Sequence, residues 1–214
     1  MLEIQMLTLG PVQTNAYLVA DSEQGAAVVI DPAWDGAYIA NAAQESGWEI
    51  QAIWLTHAHF DHLGGVAELA DRVKERGESS FRIGLHDNDM VLWEKKGGAP
   101  SFGMDIDPGP RPDLFFQHGQ QLHLGRHRFQ VRYAPGHTPG HVMFYCEQEK
   151  VLFSGDVLFQ GGIGRTDLPG GDHQTLLHSI QTQILPLPDQ TRVYSGHGPP
   201  TTVGRERERN PFLV

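Results

Sequence analysis

Four side chains able to hold a metal ion occur within six residues, in the run His57-Ala58-His59-Phe60-Asp61-His62. In an extended segment alternate side chains share a face, so His57 and His59 point the same way. If the chain then turns into a helix, Asp61 and His62 swing back toward the same space. One short segment would thus serve two adjacent cations, one through each pair. Read as a plain surface turn, the run would crowd three imidazoles together, an electrostatic liability as they protonate near about pH 6.5. A metal explains the crowding and a turn does not.

Three further polar residues sit at the ends of later apolar runs: His137 in APGHTPGH, Asp156 in VLFSGDVLF and His197 in VYSGHG. Each has a neighbouring glycine, which lets the backbone turn sharply and approach another group. Singly each reads as a turn residue. With the hexapeptide they make five imidazoles and two carboxylates, a donor set for zinc or iron, with manganese acceptable, rather than for magnesium or calcium. Asp156 is the natural bridge, because one carboxylate can offer an oxygen to each of two ions about 3.5–4 Å apart that also share a hydroxide.

The elements that must position these groups follow from apolar patterning. Residues 2–9 and 15–20 read as paired strands around Gly10-Pro11, and 26–31 as a strand ending in Asp31. A helix follows from Asp35 to about Ser46. Strand 50–55 runs into the hexapeptide. An amphipathic helix then carries Leu63, Val66, Ala67, Leu69, Ala70 and Val73 on one face. Residues 81–85 read as a strand, 86–95 as a helix, and the Gly- and Pro-rich 96–113 as a long loop of the kind that covers sites. Strands are expected near 121–124, 127–133, 142–146, 150–154 and 191–195. Asp172 caps a helix with Leu176, Leu177, Ile180 and Ile184, and RERERN reads as a solvated helix end. Strand-then-helix units in two halves imply layered α/β architecture.

Composition narrows the class. The 214-residue chain has one domain's length, and its single Cys146 excludes both an internal disulfide and a cysteine zinc module. A formal net charge of -10 argues against nucleic acid and against anionic membrane surfaces as partners. No apolar run approaches a membrane span, and MLEIQMLTLG lacks a basic leader, so a cytoplasmic location is expected. Oligomeric state is left open, with a monomer compatible.

With these motifs in view, the sequence resembles the metallo-β-lactamase-fold hydrolases, and within them the short bacterial type II glyoxalases (hydroxyacylglutathione hydrolases). THAHFDHLGG carries the superfamily resemblance. GDVLFQGGIGRTDLPGGD points to the branch holding glyoxalase II and persulfide dioxygenase. The resemblance implies an αββα four-layer sandwich spanning 1–214 as a single domain. It implies one metal site from His57, His59 and His137, a second from Asp61, His62 and His197, and Asp156 shared between them.

The chemistry expected there is thioester hydrolysis. Two bound cations lower the pKa of water from roughly 15.7 to about 7, so a bridging hydroxide is available, with Asp61 beside it as a catalytic group. A departing thiol, with a pKa of about 8.5, needs no strong general acid. The implied substrate is S-D-lactoylglutathione, giving D-lactate and glutathione in methylglyoxal detoxification. The alternative is a persulfide dioxygenase with one iron, acting on glutathione persulfide. Arg165 is expected to grip a glutathione carboxylate, or else to pair with Asp167. Longer type II glyoxalases hold glutathione with a C-terminal helical domain, whereas here 17 residues follow His197. Grips would then come from Arg205, Arg207 or the 96–113 loop. Asp31 is a candidate partner for a ligand imidazole, and His141 reads as structural or supporting.

Overall fold

The computed structural model describes residues 1–77 and 81–214. Two six-stranded sheets lie face to face. The first has the order β1 (Leu2–Leu9), β2 (Thr14–Asp21), β3 (Ala26–Ile30), β4 (Glu49–Trp54), β5 (Arg82–Leu85) and β6 (Leu114–Phe115). The second comprises β7 (Gln121–Leu124), β8 (His127–Tyr133), β9 (Val142–Cys146), β10 (Val151–Gly155), β13 (Arg192–Ser195) and β14 (Thr201–Thr202), with β14 and β7 at its edges. Between β10 and β13 along the chain, β11 (Leu158–Phe159) and β12 (Gly162–Ile163) form a small hairpin.

Side-chain alternation sorts the apolar residues into three layers. Tyr17, Val19, Val28 and Trp54 from the first sheet meet Phe129, Phe144, Cys146 and Phe153 from the second. The opposite face of the first sheet (Leu18, Val29, Ile53) packs under α1 (Gly36–Glu45) and α3 (Val66–Glu75). The outer face of the second (Met143, Leu152, Val193) packs under α5 (His173–Ser179) and α6 (Val203–Arg209). Because both faces are covered, β2, β3, β9 and β10 are buried along their whole length. This is the αββα sandwich, and no helix among the described residues is long and apolar enough to cross a membrane.

Strand direction decides where the loops gather. β3 and β4 are parallel, and so are β10 and β13. β8 and β10 are each antiparallel to β9, so they run the same way. The segments leaving β8, β10 and β13 therefore emerge together, as do those leaving β3 and β4. β2 is antiparallel to β3, so its first residues lie at the same edge. There Thr14 bridges His197, and the Asn15 N–H donates to the Gly196 carbonyl at 2.7 Å, tying the sheets together.

Three expectations need correction. The single helix read from Leu63 onward is two pieces, α2 (Phe60–Leu63) and α3. The Ala33 N–H donates to the His62 carbonyl at 3.1 Å and Ala33 bridges Leu63, which pins the first turn before the helix restarts. The 96–113 loop is partly ordered: after α4 (Met90–Glu94) the chain winds through tight 3-10 turns over Lys96–Phe102. The RERERN run does end a helix, but it is not all solvated. Glu206 is buried, its carboxylate accepting from Gly161 N at 2.7 Å, Thr201 Oγ1 at 2.5 Å and Asn210 Nδ2 at 2.9 Å.

Candidate metal centre

The seven side chains singled out by the sequence converge at this edge. His57, His59 and His137 form one set and Asp61, His62 and His197 another. Within each set the candidate ligand atoms all lie within 4.8 Å of one another. Asp156 reaches both. Its Oδ1 is 3.3 Å from His62 Nε2, and its Oδ2 is 3.5 Å from His137 Nε2 and 3.5 Å from His197 Nε2. The two sets abut, with the His57 and His62 rings 4.1 Å apart.

Hydrogen bonds behind the rings fix which nitrogen faces the centre. The Thr56 hydroxyl donates to Asp31 Oδ2 at 2.6 Å, so at 3.0 Å it accepts from His57 Nδ1 and leaves His57 Nε2 bare. His62 Nδ1 lies 2.9 Å from Asp31 Oδ2 and donates to it, turning Nε2 inward. His137 Nδ1 donates to the Arg165 carbonyl at 2.7 Å, leaving Nε2 facing His59 Nδ1 at 2.9 Å. Thr14 Oγ1 donates to Asp61 Oδ2 at 2.8 Å. Asp31 is hydrogen-bonded to a candidate ligand ring as anticipated, and with His57 and His62 it also makes a third group of possible donors. Both its oxygens are engaged, Oδ1 by the Thr56 N–H at 2.7 Å.

Charge completes the picture. Burial and the neighbouring imidazoles hold His57 well below its ordinary value, and burial with His137 brings His59 down to about 3. At His62 burial is outweighed by Asp156, Asp61 and Asp31, which push it well up. Burial would raise Asp61, yet His62, His197 and Thr14 hold it at about 2, and Asp156 is lowered in the same way by His62, His137 and His197. The centre therefore sets depressed imidazoles, His57 and His59, beside ionised carboxylates that favour a proton on His62 when no cation is bound.

A cation fits this arrangement on a direct observation. His57 Nε2, His62 Nε2 and Asp156 Oδ1 are buried with no hydrogen-bond partner. Each such atom costs about 1–3 kcal/mol if nothing satisfies it, and all three face one space. Imidazole nitrogen and carboxylate oxygen, without thiolate, suit two borderline divalent ions.

Sequence reasoning missed Asp89. It is wholly buried, and its carboxylate accepts from Ala58 N at 3.0 Å, Thr138 Oγ1 at 2.8 Å and Gly140 N at 2.6 Å. It thereby clamps the His57–His59 segment to the His137–His141 segment. An acid in the polar run His86-Asp87-Asn88-Asp89 carries no sequence signal for this. His141 is the support expected of it: its Nε2 accepts from Asp156 N at 3.0 Å, and its ring stacks on His57 at 4.7 Å.

Beside the cluster lies a cavity of about 210 Å³ walled by Val12, Phe60, Phe102, Met104 and Leu168, with Arg165 at its side. The Arg165 guanidinium makes two 2.7 Å bonds to Asp167. The arginines of the last helix do not line this space. Arg207 is held by the Leu185 and Leu187 carbonyls and by Asp189, and Arg205 lies against Glu206.

Residues 9–197 match the metallo-beta-lactamase superfamily, and the chain belongs to that family. It is 39% identical over 217 residues to the hydroxyacylglutathione hydrolase GloC of Haemophilus influenzae, covering 99% of this chain and 98% of that protein. Among solved structures it is 43% identical to TTHA1623 in a di-iron-bound form, with a TM-score of 0.86 over 98% of this chain and all of that one. It is 41% identical to the BLEG-1 B3 metallo-beta-lactamase, with a TM-score of 0.91 over 99% of this chain and all of that one.

Proposed function

We propose that the protein is a cytoplasmic two-metal thioester hydrolase acting on S-D-lactoylglutathione or a related hydroxyacylglutathione. His57, His59 and His137 would hold one ion, Asp61, His62 and His197 the other, and Asp156 both. The reading rests on one observation above all: two three-ligand sets meet at a shared carboxylate beside an apolar-walled cavity. Bound there, the ions supply water ionised at neutral pH and a Lewis acid for the substrate carbonyl.

The chain's own groups do the rest. Asp31, Thr56, Thr14 and the Arg165 carbonyl lock the ligand orientations before substrate arrives. Val12, Phe60, Phe102, Met104 and Leu168 exclude bulk water from the reacting carbonyl. Water adds to the acyl carbon as the carbon–sulfur bond breaks, yielding a carboxylate and a thiol. Apart from the ligand set, Arg165 is the one titratable group lining this cavity among the described residues. A thiolate leaves without a proton donor, whereas an amine needs one, so a thioester suits this wall better than an amide. The GloC likeness supports glutathione as the thiol.

The 41% identity to a B3 metallo-beta-lactamase supports a second reading, hydrolysis of a β-lactam ring. One experiment separates them. Protein reconstituted with zinc, and separately with iron, is assayed for metal content, for loss of lactoylglutathione, for β-lactam opening and for oxygen uptake with glutathione persulfide. Two metals per chain with rapid thioester loss is the expected result. An intact thioester beside β-lactam turnover, or beside oxygen uptake by a one-iron protein, would replace the proposal.

A further inference from the structure

The cavity over the ligands is not the largest in the chain. A cleft of about 770 Å³ lies next to it, with His59 at one end. Its walls include Leu92, Pro100, Phe102, Leu168 and Pro169. His59, Phe102 and Leu168 line both spaces, so the two adjoin at these side chains. The segment forming the cleft is laid directly on the ligand segment. Gly97 has φ 62, and a Cβ there would lie 2.3 Å from Phe60 N and 2.7 Å from Ala58 O, so only glycine permits that approach.

The cleft's chemistry identifies what it takes. Its charged groups are mostly neutralised by neighbours: Lys96 pairs with Asp105 at 2.5 Å and Glu94 with Arg111 at 3.0 Å. Lys95 also lines it, exposed and with no ion pair among the described residues, and apart from Ser101 and His59 the rest of the wall is glycine, aliphatic and aromatic. Glutathione carries two carboxylates and an ammonium, and such a wall would strip their hydration with one free cation among the described residues, Lys95, to set against it. An apolar acyl group loses nothing there. A lactoyl group is also far too small for a space in the range of whole small-molecule sites. We infer that this cleft is the acyl subsite, and that the chain is built for thioesters whose acyl group carries a bulky apolar tail, alkyl or aryl, beyond the carbonyl. The inference rests on the thioesterase reading and extends it from reaction to substrate class.

Non-hydrolysable thioethers test it without turnover. S-methylglutathione and S-hexylglutathione place a short and a long apolar group where the acyl group would sit. Their dissociation constants are measured by calorimetry on the metal-loaded protein. Each buried methylene strengthens binding about fourfold, so the hexyl compound should bind at least about tenfold tighter even with partial burial. Leu92→Trp, at a residue that lines the cleft but not the cavity over the ligands, should bring the hexyl-to-methyl ratio toward one. Equal binding of the two thioethers by the unsubstituted protein, or no binding of either, overturns the inference whether or not lactoylglutathione is hydrolysed. A preserved hexyl advantage in a protein that leaves every thioester intact keeps the apolar subsite and removes the reaction. Should Leu92→Trp fail to fold, Leu168→Ala, which widens the cleft, is expected to weaken hexyl binding more than methyl binding.

Discussion

Asp89→Ala is the substitution that most sharply separates this account from one in which the ligand loops hold themselves. The side chain is fully buried and accepts three hydrogen bonds, from Ala58 N, Thr138 Oγ1 and Gly140 N. Burial pushes its carboxyl up, and those three donors pull it back. Ala58 lies between His57 and His59, Thr138 follows His137, and Gly140 precedes His141, so one carboxylate fastens both ligand-bearing segments. Alanine would leave three buried donors bare, each worth about 1–3 kcal/mol. Water entering the space would recover part of that, giving an expected loss of roughly 3–5 kcal/mol. That is a large share of the 5–15 kcal/mol, roughly, that holds a domain folded. Asp89→Asn keeps the shape and one acceptor oxygen, and should lose about half as much. Denaturant midpoints give the stability change, and metal per chain after reconstitution gives the effect on the centre. A loss below about 1 kcal/mol with both metals retained would refute the reasoning.

Three further outcomes are expected. Gly196→Ala places a Cβ 2.1 Å from Asp156 Oδ1 and 2.6 Å from His62 Cε1. Metal content should fall below two per chain while circular dichroism stays native, and full metal content would contradict the crowding. Glu206→Ala removes the acceptor for Gly161 N, Thr201 Oγ1 and Asn210 Nδ2, and should lower stability by roughly 2–4 kcal/mol, read from the denaturant midpoint. An unchanged midpoint would return the last helix to the solvated reading. The metal-free protein should be most stable near pH 6.5, the ordinary histidine value. Burial lowers His57, His59 and His141, and a depressed histidine adds stability as pH rises to that value and no further. Burial is overcome at His62 and at His197, by Asp156 and Asp61, and a raised histidine gives stability that is complete below that value and lost as pH climbs through the folded one. Bound cations take the place of those protons, so the alkaline decline in melting temperature should vanish on metal loading. A metal-free curve flat above neutrality would count against the placement of His62.

The candidate ligands were legible because their chemistry is concentrated: no ordinary turn gathers three imidazoles and a carboxylate in six residues. β2 and β3 were legible because burial on two faces writes continuous apolar runs, and α1 because Gly47 marks its stop. Other elements leave no such trace. β6, β11, β12 and β14 are two residues each, too short for any period. The break between α2 and α3 is imposed by Ala33, about thirty residues upstream, while the apolar spacing runs on unbroken. Asp89 and Glu206 are acids in polar surroundings along the chain, and only the fold buries them against donors distant in sequence. Arg165 lines the cavity beside the cluster, and the alternative expectation for it, the pair with Asp167, is present.

Anomalous diffraction from crystals grown with zinc bears most directly on the centre itself. Two peaks per chain are expected, one enclosed by His57, His59 and His137, the other by Asp61, His62 and His197, with the Asp156 carboxylate touching both. A single peak, or density at any other group of side chains, would contradict the two-metal account.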